Sequence, residues 1–210
     1  MEPTLARRLV IDTATIACSV ALFEGDRLIG HFHDVLGRGH AERLMPVIAS
    51  LPDGGKASEI LVDFGPGSFT GVRIGVAAAK GLGLAWGVPV RGYTVMALVD
   101  AGAALEIEGW RDAPRAIVME GGHGEWFVRV ADKNGWGDIA SLTPDAAVAR
   151  VGALPVAGSR AQDLVALRGG GVAVPLLPDA RWVTHLYADD LTDHVAPVYG
   201  RAADAKKMAG

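Results

Sequence analysis

The chain has 210 residues, half of them hydrophobic, and a formal net charge of −4. That is enough apolar mass for one large core or two smaller lobes, and with Lys206-Lys207 as the nearest thing to a basic run it excludes a nucleic-acid arm. The single cysteine, Cys18, excludes an internal disulfide and leads us to expect a cytoplasmic chain, while the N-terminus lacks the form of a signal peptide and the most apolar window, Val72 to Val90, carries Arg73 and Lys80, as a membrane span would not.

In chain order, Leu9 to Ile11 is a β-branched run that ends at the polar tip Asp12-Thr13-Ala14-Thr15. Ser19 to Phe23 follows, then a tight turn at Glu24-Gly25-Asp26, then the alternating Leu28 to His33. These read as three consecutive antiparallel strands. His40 to Leu51 reads as a helix with Leu44, Val47, Ile48 and Leu51 on one face, and Pro46 should delay its start or kink it. A strand then runs to Asp63 and exits through Phe64-Gly65-Pro66-Gly67. A long helical pattern starts near Ser68 and reaches Gly87; strand Val88 to Thr94 and a helix to Leu105 complete a first half.

The second half repeats this order less clearly, after a connector from Leu105 to Arg115. Ala116 to Met119 and Trp126 to Ala131 are strand-like, and Thr143 caps a helix over Pro144 to Arg150. Leu154 to Ala157 and Ala173 to Leu177 read as strands around a helix from Ala161 to Leu167, and Asp179 to Leu191 reads as a helix. The expected organisation is α/β, with one lobe over residues 1–105 and a smaller one over 106–210, the last residues returning to the first.

The glycine-rich exit loop fails both standard phosphate patterns, because Thr70 stands where each needs glycine. What remains is a strand, a glycine turn and a helix start with Ser68 or Thr70 as N-cap, a candidate anion site or simply a capped terminus. Within the helix, Gly71, Gly75, Ala79, Gly83 and Gly87 recur every four residues. Interior glycine costs about 1 kcal/mol relative to alanine, so a flat ridge of this kind calls for close approach by another element, in this chain or in a second subunit.

Other candidate groups are sparse. His40 has Leu44, not histidine, four residues on, so a helical metal pair is incomplete. His31 and His33 share a strand face with no third donor in sight, which favours a solvated face. Asp12 ends a strand where nucleotide-handling folds often place a carboxylate, or else caps the turn that follows. Cys18 reads as a buried small hydrophobe, and no Ser/His/Asp set assembles from spacing. His123 falls in a glycine-rich turn.

The strings IDTATIACSVAL (Ile11–Leu22), HAERLMPVI (His40–Ile48), GPGSFTGVRIGVAAAKGL (Gly65–Leu82) and APVYGR (Ala196–Arg201) resemble the TsaB family. That family is the dimerisation subunit of the bacterial tRNA threonylcarbamoyladenosine synthase complex. The likeness is dense over residues 9–105 and loose beyond. It implies a two-lobed actin-like ATPase/sugar-kinase/Hsp70 (ribonuclease H-like) fold. It also implies a non-catalytic subunit that pairs with the catalytic paralogue TsaD and works with the ATPase TsaE. Together they transfer threonylcarbamoyl to N6 of the adenosine 3′ of the tRNA anticodon.

On this resemblance the chain has no metal and no cofactor of its own; ATP and magnesium serve the assembled complex, and tRNA is met only through it. The partner interface expected is His40, Leu44 and Val47 with Gly71, Val72, Gly75, Val76, Ala79, Leu82 and Gly83, a face that also allows a homodimer. Asp12, Thr13, Gly65, Gly67 and Ser68 remain candidate anion or nucleotide contacts. Where many family members carry an Asp-Ala-Arg-Arg turn, this chain reads Glu120-Gly121-Gly122-His123. The competing reading is an active enzyme of the same fold, an ATP-dependent phosphotransferase or a metallopeptidase.

Overall fold

The computed structural model describes residues 6–198. Three antiparallel strands come first: β1 (Arg7–Asp12), β2 (Ala17–Glu24) and β3 (Arg27–Val35). Helix α1 (His40–Ser50), strand β4 (Glu59–Asp63), helix α2 (Phe69–Trp86), strand β5 (Val90–Tyr93) and helix α3 (Val95–Glu106) follow. β4 and β5 add to β1 in parallel, giving the order β3-β2-β1-β4-β5.

A second sheet contains β6 (Arg115–Gly122), β7 (Glu125–Asp132), β8 (Gly135–Trp136), β10 (Val156–Ala157) and β11 (Ala173–Val174), in the order β11-β10-β6-β7-β8. β9 (Ala140–Leu142) pairs with β7, and helices α4 (Pro144–Val151) and α5 (Ala161–Arg168) cover this sheet. Thr143 caps α4, its hydroxyl accepting from the Ala146 N–H at 3.4 Å.

Both faces of the first sheet are covered, which is why the centres of β1 (Leu9–Ile11) and β4 (Ile60–Val62) are continuously apolar. Leu9, Ile11, Val20, Ile60 and Val62 pack against Leu44, Val47 and Ile48 of α1 and Val72, Val76 and Ala79 of α2. On the other face Val10, Ala21, Phe23 and Leu61 meet Leu98 of α3 and Ala180 and Val183. α3 is buried along nearly its whole length, because its other side (Val95, Met96, Val99) packs on Ile117, Met119 and Phe127 of the second sheet. The expected lobe boundary at residue 105 falls in its last turn.

α1 begins at His40 and continues through Pro46. The carbonyl left without an amide there is that of Glu42, on the exposed side. The helix expected over Asp179 to Leu191 is instead two short 3₁₀ turns, Ala180–His185 and Ala188–Asp190. The buried pair Ala180 and Val183 is spaced by three, the 3₁₀ period, and the Asp179 carboxylate fixes the entry by accepting from the Arg181 N–H at 2.9 Å. From there the chain returns to the first sheet: Thr192 pairs with Gly92, and the Val198 N–H donates to the Phe64 carbonyl at 2.7 Å. Tyr199 to Arg201, the end of the APVYGR string, lie outside the described residues.

Candidate functional site

The Asp12–Thr15 tip and the Gly65–Ser68 loop meet at the start of α2. The Ser68 hydroxyl caps the helix by accepting from the Gly71 N–H at 3.2 Å, and the Ser68 N–H donates to the Ala14 carbonyl at 2.7 Å. The Thr13 hydroxyl donates to the Gly71 carbonyl at 2.8 Å.

These contacts explain the glycines. A Cβ on Gly67 would lie 2.2 Å from the Ala14 carbonyl oxygen, and one on Gly75 would lie 2.5 Å from the Thr13 hydroxyl. Further along, a Cβ on Gly83 would lie 2.4 Å from Cγ2 of Val90. The ridge therefore seats α2 on its own sheet. This corrects the expected interface. His40, Leu44, Val47, Gly71, Val72, Gly75, Val76, Ala79 and Gly83 are all buried within the chain, and Leu82 is half-buried. Periodicity found a flat face, but the occupant of that face is intramolecular.

The surface left open is the opposite side of the same helices. Phe69, Arg73, Ala77, Lys80 and Leu84 are exposed on α2, Leu84 to 88%. Met45 is exposed on α1, which packs beside α2. Ile16, at the end of the Asp12–Thr15 tip, is also open. The Arg73 guanidinium sits 5.0 Å above the Phe69 ring. An exposed Leu84 was readable from the sequence, but the ridge of small residues drew the reading to the side that is buried within the chain.

Between the two sheets lies a cleft of about 1540 Å³. Its first wall is the Ala14–Ile16 tip, the Gly37–Glu42 segment and the start of α2; its second is the Glu120–His123 turn with Phe127, Ser159 and Arg160. Of the candidate anion contacts, Gly67 and Ser68 line this space. Asp12, Thr13 and Gly65 are sealed beneath it. On the far wall Arg160 is paired with Glu120 and with Asp163 at 2.6 Å, and the Ser159 hydroxyl accepts from the Glu120 N–H at 3.0 Å. The Glu120–His123 turn is thus held by its own ion pair.

The remaining titratable candidates have structural partners. His40 Nε2 donates to the Ala17 carbonyl at 3.1 Å, tying the start of α1 to β2. His31 and His33 do not form the solvated face expected; both are half-buried and stacked, and both turn to Asp179, at 3.1 and 3.8 Å. That contact spans 148 positions of sequence, so no local pattern announces it. Burial pushes His31 below its usual value, outweighing the pull of Asp179. Burial also pushes the Cys18 thiol up to about 11.

A polar hub joins the lobes. Asp100 of α3 is buried and accepts from Trp110 Nε1 (2.7 Å), Arg111 Nε (2.9 Å) and Arg115 Nε (2.6 Å). The sequence did hold a signal for it: a carboxylate in the middle of an apolar helical run must find a partner. Among the described residues no group of three or more His, Cys, Asp or Glu side chains could hold a metal ion.

A family model, TsaD: tRNA N6-adenosine threonylcarbamoyltransferase, matches residues 33–181. The Escherichia coli (strain K12) "tRNA threonylcarbamoyladenosine biosynthesis protein TsaB" is 33% identical over 230 residues, 97% of this chain and 99% of that protein. The chain belongs to the TsaB family. YeaZ from Pseudomonas aeruginosa superposes with a TM-score of 0.73 at 27% identity, over 93% of this chain and 100% of that one. A second Pseudomonas aeruginosa structure, described as having similarity to peptidase YEAZ, gives 0.74 at 27% identity, over 94% and 100%. The ethanolamine utilization protein EutJ from Carboxydothermus hydrogenoformans shares the fold alone, with a TM-score of 0.52 at 11% identity over 86% and 90%. The TsaB fold here is the two-lobed actin-like ATPase/sugar-kinase/Hsp70 type. No described helix is long and apolar enough to cross a membrane.

Proposed function

We propose that the chain acts in tRNA threonylcarbamoyladenosine biosynthesis as a non-catalytic subunit. It binds the catalytic paralogue TsaD through the outer faces of α1 and α2, and it works with the ATPase TsaE. Supporting this is the end-to-end likeness to a protein named for that pathway. The observation that carries it is the solvent-exposed stripe of Phe69, Ala77 and Leu84, flanked by Met45 and Ile16. Apolar side chains exposed together at helical spacing mark an association surface. His40 followed by Leu44 supplies half of a helical metal pair, and its imidazole is spent on the Ala17 carbonyl.

On this reading ATP and magnesium belong to the assembled complex, and the acidic chain meets tRNA only through its partners. The complex works in the cytoplasm, and the same stripe supports self-association when TsaD is absent. Reconstitution tests the proposal. TsaD and TsaE, given threonine, bicarbonate, ATP and the enzyme that makes the adenylate, should modify tRNA only when this chain is added. Modification at the full rate without it, or by this chain alone, would contradict the proposal.

A further inference from the structure

Three parallel strands end in one row. The register sets Ile11 opposite Val62 and Asp63 opposite Tyr93, so the next position places Asp12 beside Asp63. Both carboxyls are buried, at 0% and 1% exposure. Each has one oxygen held by the backbone: Asp12 Oδ1 accepts from the Ala14 N–H at 3.4 Å, and Asp63 Oδ1 from the Gly65 N–H at 2.8 Å. The Oδ2 atom of each is buried without a partner.

Two ionised carboxylates would leave two like charges and two unsatisfied acceptors in one dry place, which is costly on both counts. A single proton removes both costs, because a protonated carboxyl donates to its neighbour. Among the described residues no cation acts on either carboxyl. From β5, the Tyr93 hydroxyl donates to the Ile11 carbonyl at 3.1 Å, and its hydrogen bond to Asp12 draws that carboxyl down by less than burial raises it. Just before the Ala180–His185 turn, Asp179 adds negative charge; Arg181 and His31 hydrogen-bond it, and His33 Nδ1 stands 3.8 Å from it without a hydrogen bond. On β2, Cys18 is a buried thiol with Arg43 and Asp34 beyond it, and the Ser19 hydroxyl accepts from the Ala180 N–H. The α3 side offers only the Val95 backbone N–H. In the returning strand, Asp193 pairs with Arg91 and His194 is exposed.

We propose that Asp12 and Asp63 hold one shared proton as a carboxyl–carboxylate pair, so that folding of this lobe binds a proton. The pair sits at the root of both loops that seat α2: Asp12 precedes Thr13, and Asp63 precedes the Gly65–Ser68 turn. Burial pushes Asp12 up to about 7 and Asp63 well above the usual carboxylate range, each raised further by negative neighbours. The sign follows. A raised folded value gives stability that is complete below the ordinary value near 3.8 and is lost as pH climbs through about 7. Asp190, also raised by burial, acts in the same direction. His31, lowered by burial, acts in the opposite one below its ordinary 6.5. The test must therefore compare variants.

The full chain and its Asp63→Asn and Asp12→Asn variants are unfolded in urea from about pH 5 to about pH 8, and the infrared carboxyl band is recorded at about pH 6. An amide at position 63 keeps the acceptor for Gly65 and gives Asp12 a permanent donor. The wild-type folding constant should fall by up to about tenfold per pH unit while one proton is held. Asp63→Asn should flatten that slope and remove the protonated-carboxyl band seen in wild type. Equal slopes in wild type and variant, or no such band in wild type, would overturn the proposal. If neither variant folds, the wild-type band alone decides.

Discussion

The Thr13 hydroxyl donates to the Gly71 carbonyl at 2.8 Å, and the Thr13 carbonyl oxygen lies 2.1 Å from where a Gly71 side chain would begin. A methyl group there must displace backbone, so Gly71→Ala should cost about 1–3 kcal/mol, as overpacking does. At Gly81, on the open side of the same helix, a Cβ meets nothing within 4 Å. Gly81→Ala should therefore gain up to about 1 kcal/mol. Urea midpoints measure both, and a Gly71→Ala variant as stable as wild type would refute the seating of α2 on the Thr13 turn.

Much of this fold is legible in the sequence because its signals are local. The buried face Leu44, Val47, Ile48 and Leu51 follows from spacing, and so do the caps at Ser68 and Thr143. What spacing cannot supply is the identity of the partner. The Gly71–Gly83 ridge announces close approach, but a β-turn of the same chain and a second subunit leave the same pattern. The His31–Asp179 contact is out of reach for a related reason: it depends on the last segment folding back beneath the first sheet. The two 3₁₀ turns there read as a helix because apolar residues spaced by three fit either.

The Asp100 hub fixes how α3 meets the connector and β6. Asp100→Ala would leave Arg115, itself buried, facing a cavity with its charge uncompensated. Breaking a buried pair in this way costs about 3–5 kcal/mol. Thermal unfolding should show it, and a loss below about 1 kcal/mol would mean the hub is solvated and weak.

Cys18 is fully buried and its thiol is pushed up to about 11, first by burial and then by the charge of Asp12. The thiolate is the reactive form. At about pH 8 the native chain should resist a disulfide reagent, while the urea-unfolded chain reacts at once with one equivalent per chain. Rapid labelling of the native form would mean that β2 opens readily.

Nucleotide binding by the isolated chain provides a further test. Asp12, Thr13 and Gly65 lie sealed beneath the cleft, and Arg160 is held by Glu120 and Asp163. Titration with Mg-ATP should release no heat of specific binding. Tight binding with turnover in the absence of partners would restore the reading of an active phosphotransferase.

The central claim is that the outer face of α2, and not its glycine ridge, meets the catalytic paralogue. Calorimetric titration of this chain with TsaD tests it most directly, using Phe69→Asp and Leu84→Asp, both at exposed positions where folding should survive. Each substitution should weaken the complex by about thirtyfold or more, as loss of an interface hot spot does. Unchanged affinity in both folded variants would contradict the account.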